Sequence, residues 1–198
     1  MGRRNSPKHI WKNNMQAIKT TSIYLLVLVL LLNRPAPLHA QRPVAREYQV
    51  KSAFLYNFTQ FMEWPAQAFP ESDAPIIIGI LGEDPFSPYL QEVIAGEKMK
   101  GHSLVVRHYN DVEEIQTCHM LFINVGSTAK LERILEKLEG RSILTVSDAD
   151  NFIEEGGMIR FVTIDKKIRF QINPAAVKAA GLTISSKLLS LAEIITPK

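Results

Sequence analysis

The sequence predicts a single α/β domain: a mixed, mostly parallel sheet flanked by helices, closed by a late β-hairpin. Three observations carry this expectation. Ile76–Leu81 (IIIGIL) and Cys118–Val125 are apolar runs without alternation, as in strands covered on both faces. Segments with helical periodicity lie between such runs. Met158–Ile164 and Lys167–Ile172 flank Asp165-Lys166, which reads as a hairpin turn.

The chain opens with 40 residues of a different character. Arg3, Arg4, Lys8, Lys12, Lys19 and Arg34 stand there without a single acid, and Ile23–Leu32 is an unbroken apolar run. A basic region, a short apolar core and a polar stretch ending at Ala40 form the pattern of a secretory signal. Ten residues make only about 15 Å of helix, too short for a bilayer core of roughly 30 Å. Residues 1–40 are therefore expected to be a signal peptide, with Met15 an alternative start, and residues 41–198 the mature domain. The basic balance belongs to the signal. Residues 1–40 hold six of the 23 bases and none of the 20 acids, leaving residues 41–198 with 17 bases against 20 acids, a net charge of −3. A mildly acidic domain without a basic run is not expected to bind nucleic acid.

Arg46–Trp64 is the predicted opening helix. Val50, Phe54, Leu55, Phe58, Phe61 and Met62 form its apolar stripe, and Pro65 stops it. Tyr56, Asn57 and Trp64 lie off that stripe. They read either as further core or as a contact surface, and they are the candidate partner-binding residues. After the strand Ile76–Leu81, Asp84 is placed to cap a helix running to about Ala95, with Pro85 at its first position. Leu104–Tyr109 and Cys118–Val125 are the next strands. Gly126-Ser127-Thr128 opens a helix with Leu131, Ile134, Leu135 and Leu138 on one face, closed by Gly140. Ile143–Val146 is a fourth strand, and Asp148–Glu155 a short helix or turn. The hairpin follows, then a helix over Pro174–Ala180 capped by Asn173, and a final helix from Ser185 to about Ile195.

Catalytic patterns are sparse. Cys118 and His119 are neighbours in a predicted strand, so their side chains point to opposite faces and form no nucleophile–base pair. His102, His108 and His119 show no zinc spacing, and Asp148-Ala149-Asp150 lacks the later residues of a calcium loop. No catalytic residue, metal site or cofactor is expected. Cys118 is the only cysteine; it is either a buried thiol or an intermolecular link. On the hairpin, Lys167, Arg169, Gln171 and Asn173 point away from Ile168, Phe170 and Ile172. Such a row of donors either meets water or binds a small anionic or hydrogen-bonding molecule, with Arg160, Arg169 and Gln171 as the candidate ligand-binding residues.

Seven stretches in order, Val50–Pro65 (VKSAFLYNFTQFMEWP), Ile80–Phe86 (ILGEDPF), Cys118–Ile123 (CHMLFI), Ile143–Asp148 (ILTVSD), Gly156–Ile159 (GGMI), Ile168–Asn173 (IRFQIN) and Ile184–Leu189 (ISSKLL), resemble the YfiR-like proteins of Gram-negative bacteria. The resemblance covers nearly the whole mature part. It implies an exported periplasmic regulator, not an enzyme, that represses an inner-membrane diguanylate cyclase through the cyclase's periplasmic domain. It further implies a possible outer-membrane partner and a homodimer. Some relatives carry several cysteines, whereas this chain has Cys118 alone. The alternative function is a periplasmic sensor that binds a nucleotide or an amino acid.

Overall fold

The computed structural model describes residues 43–197; the expected signal peptide lies outside them. Five helices are present among the described residues: α1 (Pro43–Phe61), α2 (Tyr89–Ile94), α3 (Thr128–Leu138), α4 (Pro174–Ala179) and α5 (Ser186–Leu189). The strands are β1 (Met62–Glu63), β2 (Ile76–Gly82), β3 (Lys98–Met99), β4 (His102–Tyr109), β5 (Met120–Asn124), β6 (Leu144–Ser147), β7 (Ile159–Ile164), β8 (Lys167–Ile172), β9 (Thr183–Ile184) and β10 (Glu193–Ile194). Eight of them form one sheet in the order β10-β8-β7-β6-β5-β2-β4-β3. Strands β4, β2, β5, β6 and β7 run parallel; β8 turns back antiparallel to β7, and β10 lies parallel to β8. The expected mixed, mostly parallel sheet with a late hairpin is the fold.

Both faces of the central strands are buried, which explains their unbroken apolar runs. Along β2, Ile78 and Ile80 enter a core beneath α1 and α2, while Ile77 and Leu81 enter a second core beneath α3. Helix α3 buries Leu131, Ile134 and Leu138, the spacing read from sequence. Asn173 caps α4 by accepting from the Ala176 N–H at 3.2 Å, and Ser185 caps α5 by accepting from Lys187 N–H at 3.1 Å. The hairpin turn puts both Asp165 (φ 51°) and Lys166 (φ 60°) in the left-handed region, as a two-residue type I′ turn requires.

Several boundaries differ from the sequence expectation; β5 begins only at Met120, so Cys118 and His119 stand just before the strand and not in it. Helix α1 stops at Phe61, three residues before Trp64. Met62 and Glu63 leave the helix to pair antiparallel with Ile184 and Thr183, and the Ser185 N–H donates to the Phe61 carbonyl at 2.9 Å. Asp84 does not cap a helix. Its Oδ1 accepts from the Phe86 N–H at 2.8 Å in a local turn, and α2 begins only at Tyr89. The final helix to Ile195 reduces to the four residues of α5, because β8 offers backbone partners to the chain that follows: the Ile195 N–H donates to the Ile172 carbonyl at 2.9 Å.

The buried stripe of α1 is also rotated. Leu55, Phe58 and Met62 are buried with Lys51, Ser52 and Thr59, whereas Val50 is 42% exposed. The polar members are satisfied. Ser52 Oγ donates to the Tyr48 carbonyl at 2.8 Å and Thr59 Oγ1 to the Tyr56 carbonyl at 2.6 Å, both within the helix. The Lys51 ammonium is held at 2.7 Å by both Glu47 Oε1 and Asp148 Oδ2, and lies 4.5 Å from the centre of the Tyr48 ring. Tyr48 also donates to Asp148 Oδ2 at 2.8 Å. Burial, and then that bond to a carboxylate, raise the Tyr48 pKa, so it stays a donor.

Removing one partner of a buried charge costs more than replacing the charge by an apolar chain of similar shape. Asp148→Ala is therefore expected to destabilise the fold by about 2 kcal/mol more than Lys51→Met, read from urea unfolding midpoints. Equal midpoints would show that Glu47 alone compensates the Lys51 ammonium once Asp148 is removed.

Candidate functional site

The candidate partner residues fall in two places. Tyr56 and Asn57 lie on the outward side of α1, Asn57 exposed and Tyr56 half-buried. The Tyr56 hydroxyl donates to Glu97 Oε2 at 2.8 Å, and that bond holds its pKa above the ordinary value. Trp64 lies past the end of the helix. It is half-buried, and its indole Nε1 donates to the His119 carbonyl at 2.8 Å. A cleft of about 150 Å³ beside it is lined by Thr59, Met62, Trp64, Phe69, Met99 and His102, among others.

His119 fastens this corner to the sheet. Its ring is fully buried, edge-on to Trp64 with centroids 5.9 Å apart and 4.5 Å from Phe69, which stacks on His102 at 4.4 Å. Its Nδ1 accepts the Ile77 N–H at 3.0 Å, which assigns the proton of the neutral ring to Nε2. Nε2 is buried without a hydrogen-bond partner. Protonation would put a second donor against the Ile77 N–H. Burial first, and the neighbouring His102 second, lower the His119 pKa to about 4. Cys118, one residue away, faces the opposite core. Its Sγ donates to the Met120 carbonyl at 3.0 Å, and burial pushes its pKa up to about 12. Of the two readings of this cysteine, the structure selects the buried thiol.

The hairpin brings together two of the three candidate ligand residues. Arg160 and Gln171 are direct cross-strand partners, with Arg160 Nη1 3.4 Å from Gln171 Oε1. Gln171 Nε2 donates to Glu193 Oε2 at 2.9 Å, and Arg160 Nη2 pairs with Asp150. The result is a polar chain, Asp150–Arg160–Gln171–Glu193, in which the Arg160 Nε is buried without a partner. Arg169 stands apart, exposed and opposite Val162. A larger cleft of about 610 Å³ lies elsewhere, between α3 and α4, with Glu132, Glu136, Glu139 and Glu155 on its walls; none of the six candidate residues lines it.

Residues 48–193 match the YfiR/HmsC-like family. The chain belongs to that family. It is a family of periplasmic regulatory proteins, and the match runs from within α1 to the first residue of β10. The family's span thus includes the Lys51–Asp148 pair, the Trp64–His119 junction and the whole hairpin. No helix among the described residues is long and apolar enough to cross a membrane, and they hold no cluster of His, Cys, Asp or Glu suited to a metal ion.

Sequence reasoning missed His119 as a structural centre, and Asp150 and Glu193 as partners of the hairpin. The Cys118-His119 pair carries a usable signal: adjacent residues that lead into an apolar central strand and point to opposite faces are both buried. Glu193 carries none, because its segment has the composition of a helix and becomes a strand only by pairing with β8.

His119 is expected to make stability depend on pH. Its folded pKa lies below the unfolded value near 6.5, so the unfolded chain binds more protons between these values. Stability should be fully present above about pH 6.5 and fall by up to about 3 kcal/mol as the pH drops to about 4. His119→Asn, which keeps an acceptor for the Ile77 N–H, should flatten this dependence. Urea unfolding at several pH values measures both, and an unchanged profile in the variant would assign the effect to other groups.

Proposed function

We propose that this chain is an exported periplasmic protein that binds and represses a membrane-bound signalling partner, a diguanylate cyclase, through the cyclase's periplasmic domain. The observation that carries the reading is the family match from α1 to the first residue of β10, which takes in all of the sheet but Ile194. The secretory pattern of residues 1–40 supports the location. Such a regulator acts by differential affinity, binding the inactive conformation of the cyclase more tightly than the active one. An outer-membrane protein that sequesters the regulator would release the cyclase, and the regulator itself would be a homodimer.

The proposed contact surface is Tyr56 and Asn57 on α1, with Trp64 beyond its end. Asn57 is the cleanest probe, because it is exposed and makes no side-chain hydrogen bond among those described. Asn57→Arg should weaken binding to the purified periplasmic domain of the cyclase by about tenfold or more, with an unchanged thermal midpoint. Trp64→Ala should weaken it as well, at some cost in stability through the His119 carbonyl. Unaltered binding by Asn57→Arg would remove α1 from the interface.

A second reading is supported by the Arg160 Nε, a buried donor without a partner. Together with Gln171 and the exposed Arg169 it suits a small molecule with an anionic group, such as a nucleotide or an amino acid. A ligand that binds only the folded chain raises its thermal midpoint. That rise should disappear in Arg160→Met, and a screen of nucleotides and amino acids without any rise would dismiss the reading.

A further inference from the structure

Strand β8 is paired along its full length on one side and along only part of its length on the other. Toward β7 all six residues are in register, from Ile164–Lys167 to Ile159–Ile172. Toward β10 only Gln171 and Ile172 are paired. In a two-residue hairpin the pair next to the turn exchanges hydrogen bonds, and so does every second pair beyond it. The backbone groups of Lys167, Arg169 and Gln171 therefore face β7, and those of Ile168, Phe170 and Ile172 face outward. The Ile172 carbonyl confirms the phase, since it accepts from Ile195 beyond the outer edge. The Glu193–Gln171 pair takes the Phe170 carbonyl in the same way, through the Glu193 N–H, so the groups left without a strand beside them among the described residues are the Phe170 N–H and both groups of Ile168.

Side chains give this open half-edge a sign. Lys166, Lys167 and Arg169 are exposed, and none lies within salt-bridge distance of an acid among the described residues. Asp165 in the turn is the one acid between Ile164 and Asn173. The patch stands out because residues 41–198 carry a net negative charge. Next to it, Ile164 is 45% exposed. On the opposite face of the strand, Ile168 is half-buried and Phe170 buried.

We propose that the open half of β8 is a docking edge for an extended segment of another protein, in which acidic residues alternate with apolar ones. The added strand would hydrogen-bond to the Phe170 N–H and to both outward groups of Ile168. Its acids would fall on the face of Lys167 and Arg169, and its apolar residues beside Ile168. Charge argues against a second copy of this chain. A two-fold antiparallel pairing of β8 with itself through these groups sets Arg169 against either Lys167 or Arg169 of the other copy, and like charges directly opposite are destabilising. Charged residues also guard free edges against aggregation, but that protection works with either sign. The single sign here selects a partner. The inference deepens the regulatory reading, and rests on it only for which protein supplies the segment.

Amide hydrogen exchange on the intact exported chain tests it, with a short peptide alternating Glu with Val as the probe and its Lys-for-Glu counterpart as the control. The Glu peptide should slow exchange at Ile168 and Phe170, and the Lys peptide should not. Lys167→Glu combined with Arg169→Glu should weaken the Glu peptide about tenfold or more. Ile168→Pro, which removes an outward N–H and leaves the β7 ladder intact, should abolish the protection, while Ile168→Val retains it. Equal protection by both peptides would overturn the proposal. So would protection of Ile168 in the chain alone that grows with its concentration, because a second copy would then occupy the edge. Cyclase repression is measured separately. Repression without peptide binding overturns the edge and leaves the regulatory reading standing, and peptide binding without repression does the reverse.

Discussion

The structure depends on how α1 lies across the sheet. Phe58, without exposed surface, stacks at 5.8 Å on Phe161 of β7 and meets Phe170 of β8 edge-on at 5.2 Å. This one ring joins the first helix to the last hairpin, more than a hundred residues later. An aromatic in such a position contributes several kcal/mol through burial and contact geometry. Two further ties fix the helix lengthwise. The Lys51 ammonium is clamped between Glu47 and Asp148 toward one end, and Met62–Glu63 are paired with Thr183–Ile184 just past the other. The buried ammonium gains little net stability over an apolar side chain, but it specifies rotation, since only one setting of α1 brings it to Asp148.

That setting decides which surfaces remain for binding. Rotating the buried face toward Lys51, Ser52 and Thr59 leaves Val50 and Asn57 on the outside and Tyr56 at the margin, tied to Glu97. Ending the helix at Phe61 moves Trp64 onto the sheet, where His119 receives its indole. Helices cover the central strands on both sides. On the hairpin, the face carrying Arg160, Arg169 and Gln171 is far less covered than the face carrying Phe161 and Phe170. A domain with a tightly closed centre and an open margin suits recognition by contact.

Much of this is legible in the order of the residues alone. The apolar run of β2 announces a strand buried on both sides, the periodicity of α3 names four residues of which three are buried and Leu135 half-buried, and Asp165-Lys166 marks the turn between β7 and β8. These signals are local: they depend on residues within one turn of helix or one strand, and burial acts on each directly. Arg160 and Gln171 emerge as neighbours because hairpin register follows from the turn. Trp64 is different. Pro65 is the first residue that must stop the opening helix, so the pattern extends that helix to Trp64, whereas pairing with β9 ends it earlier. The Val50 stripe misleads for a related reason. Periodicity assumes that polar side chains face water, whereas Ser52 and Thr59 bond to carbonyls of their own helix and Lys51 meets acids that fold around it.

By itself, the sequence determined the α/β class, the strands of the sheet centre, the hairpin, the family, and the expectation of export. Tertiary structure alone decided the rotation of α1, the strand at Glu193–Ile194, the partners of His119 and the half-open edge of β8. The division has one physical reason. Hydrophobic periodicity and turn chemistry are properties of short segments, while buried polar groups and strand edges acquire their meaning only from partners far along the chain. A lysine inside a helix stripe, or a glutamate in a helix-like tail, cannot be placed until those partners are in position.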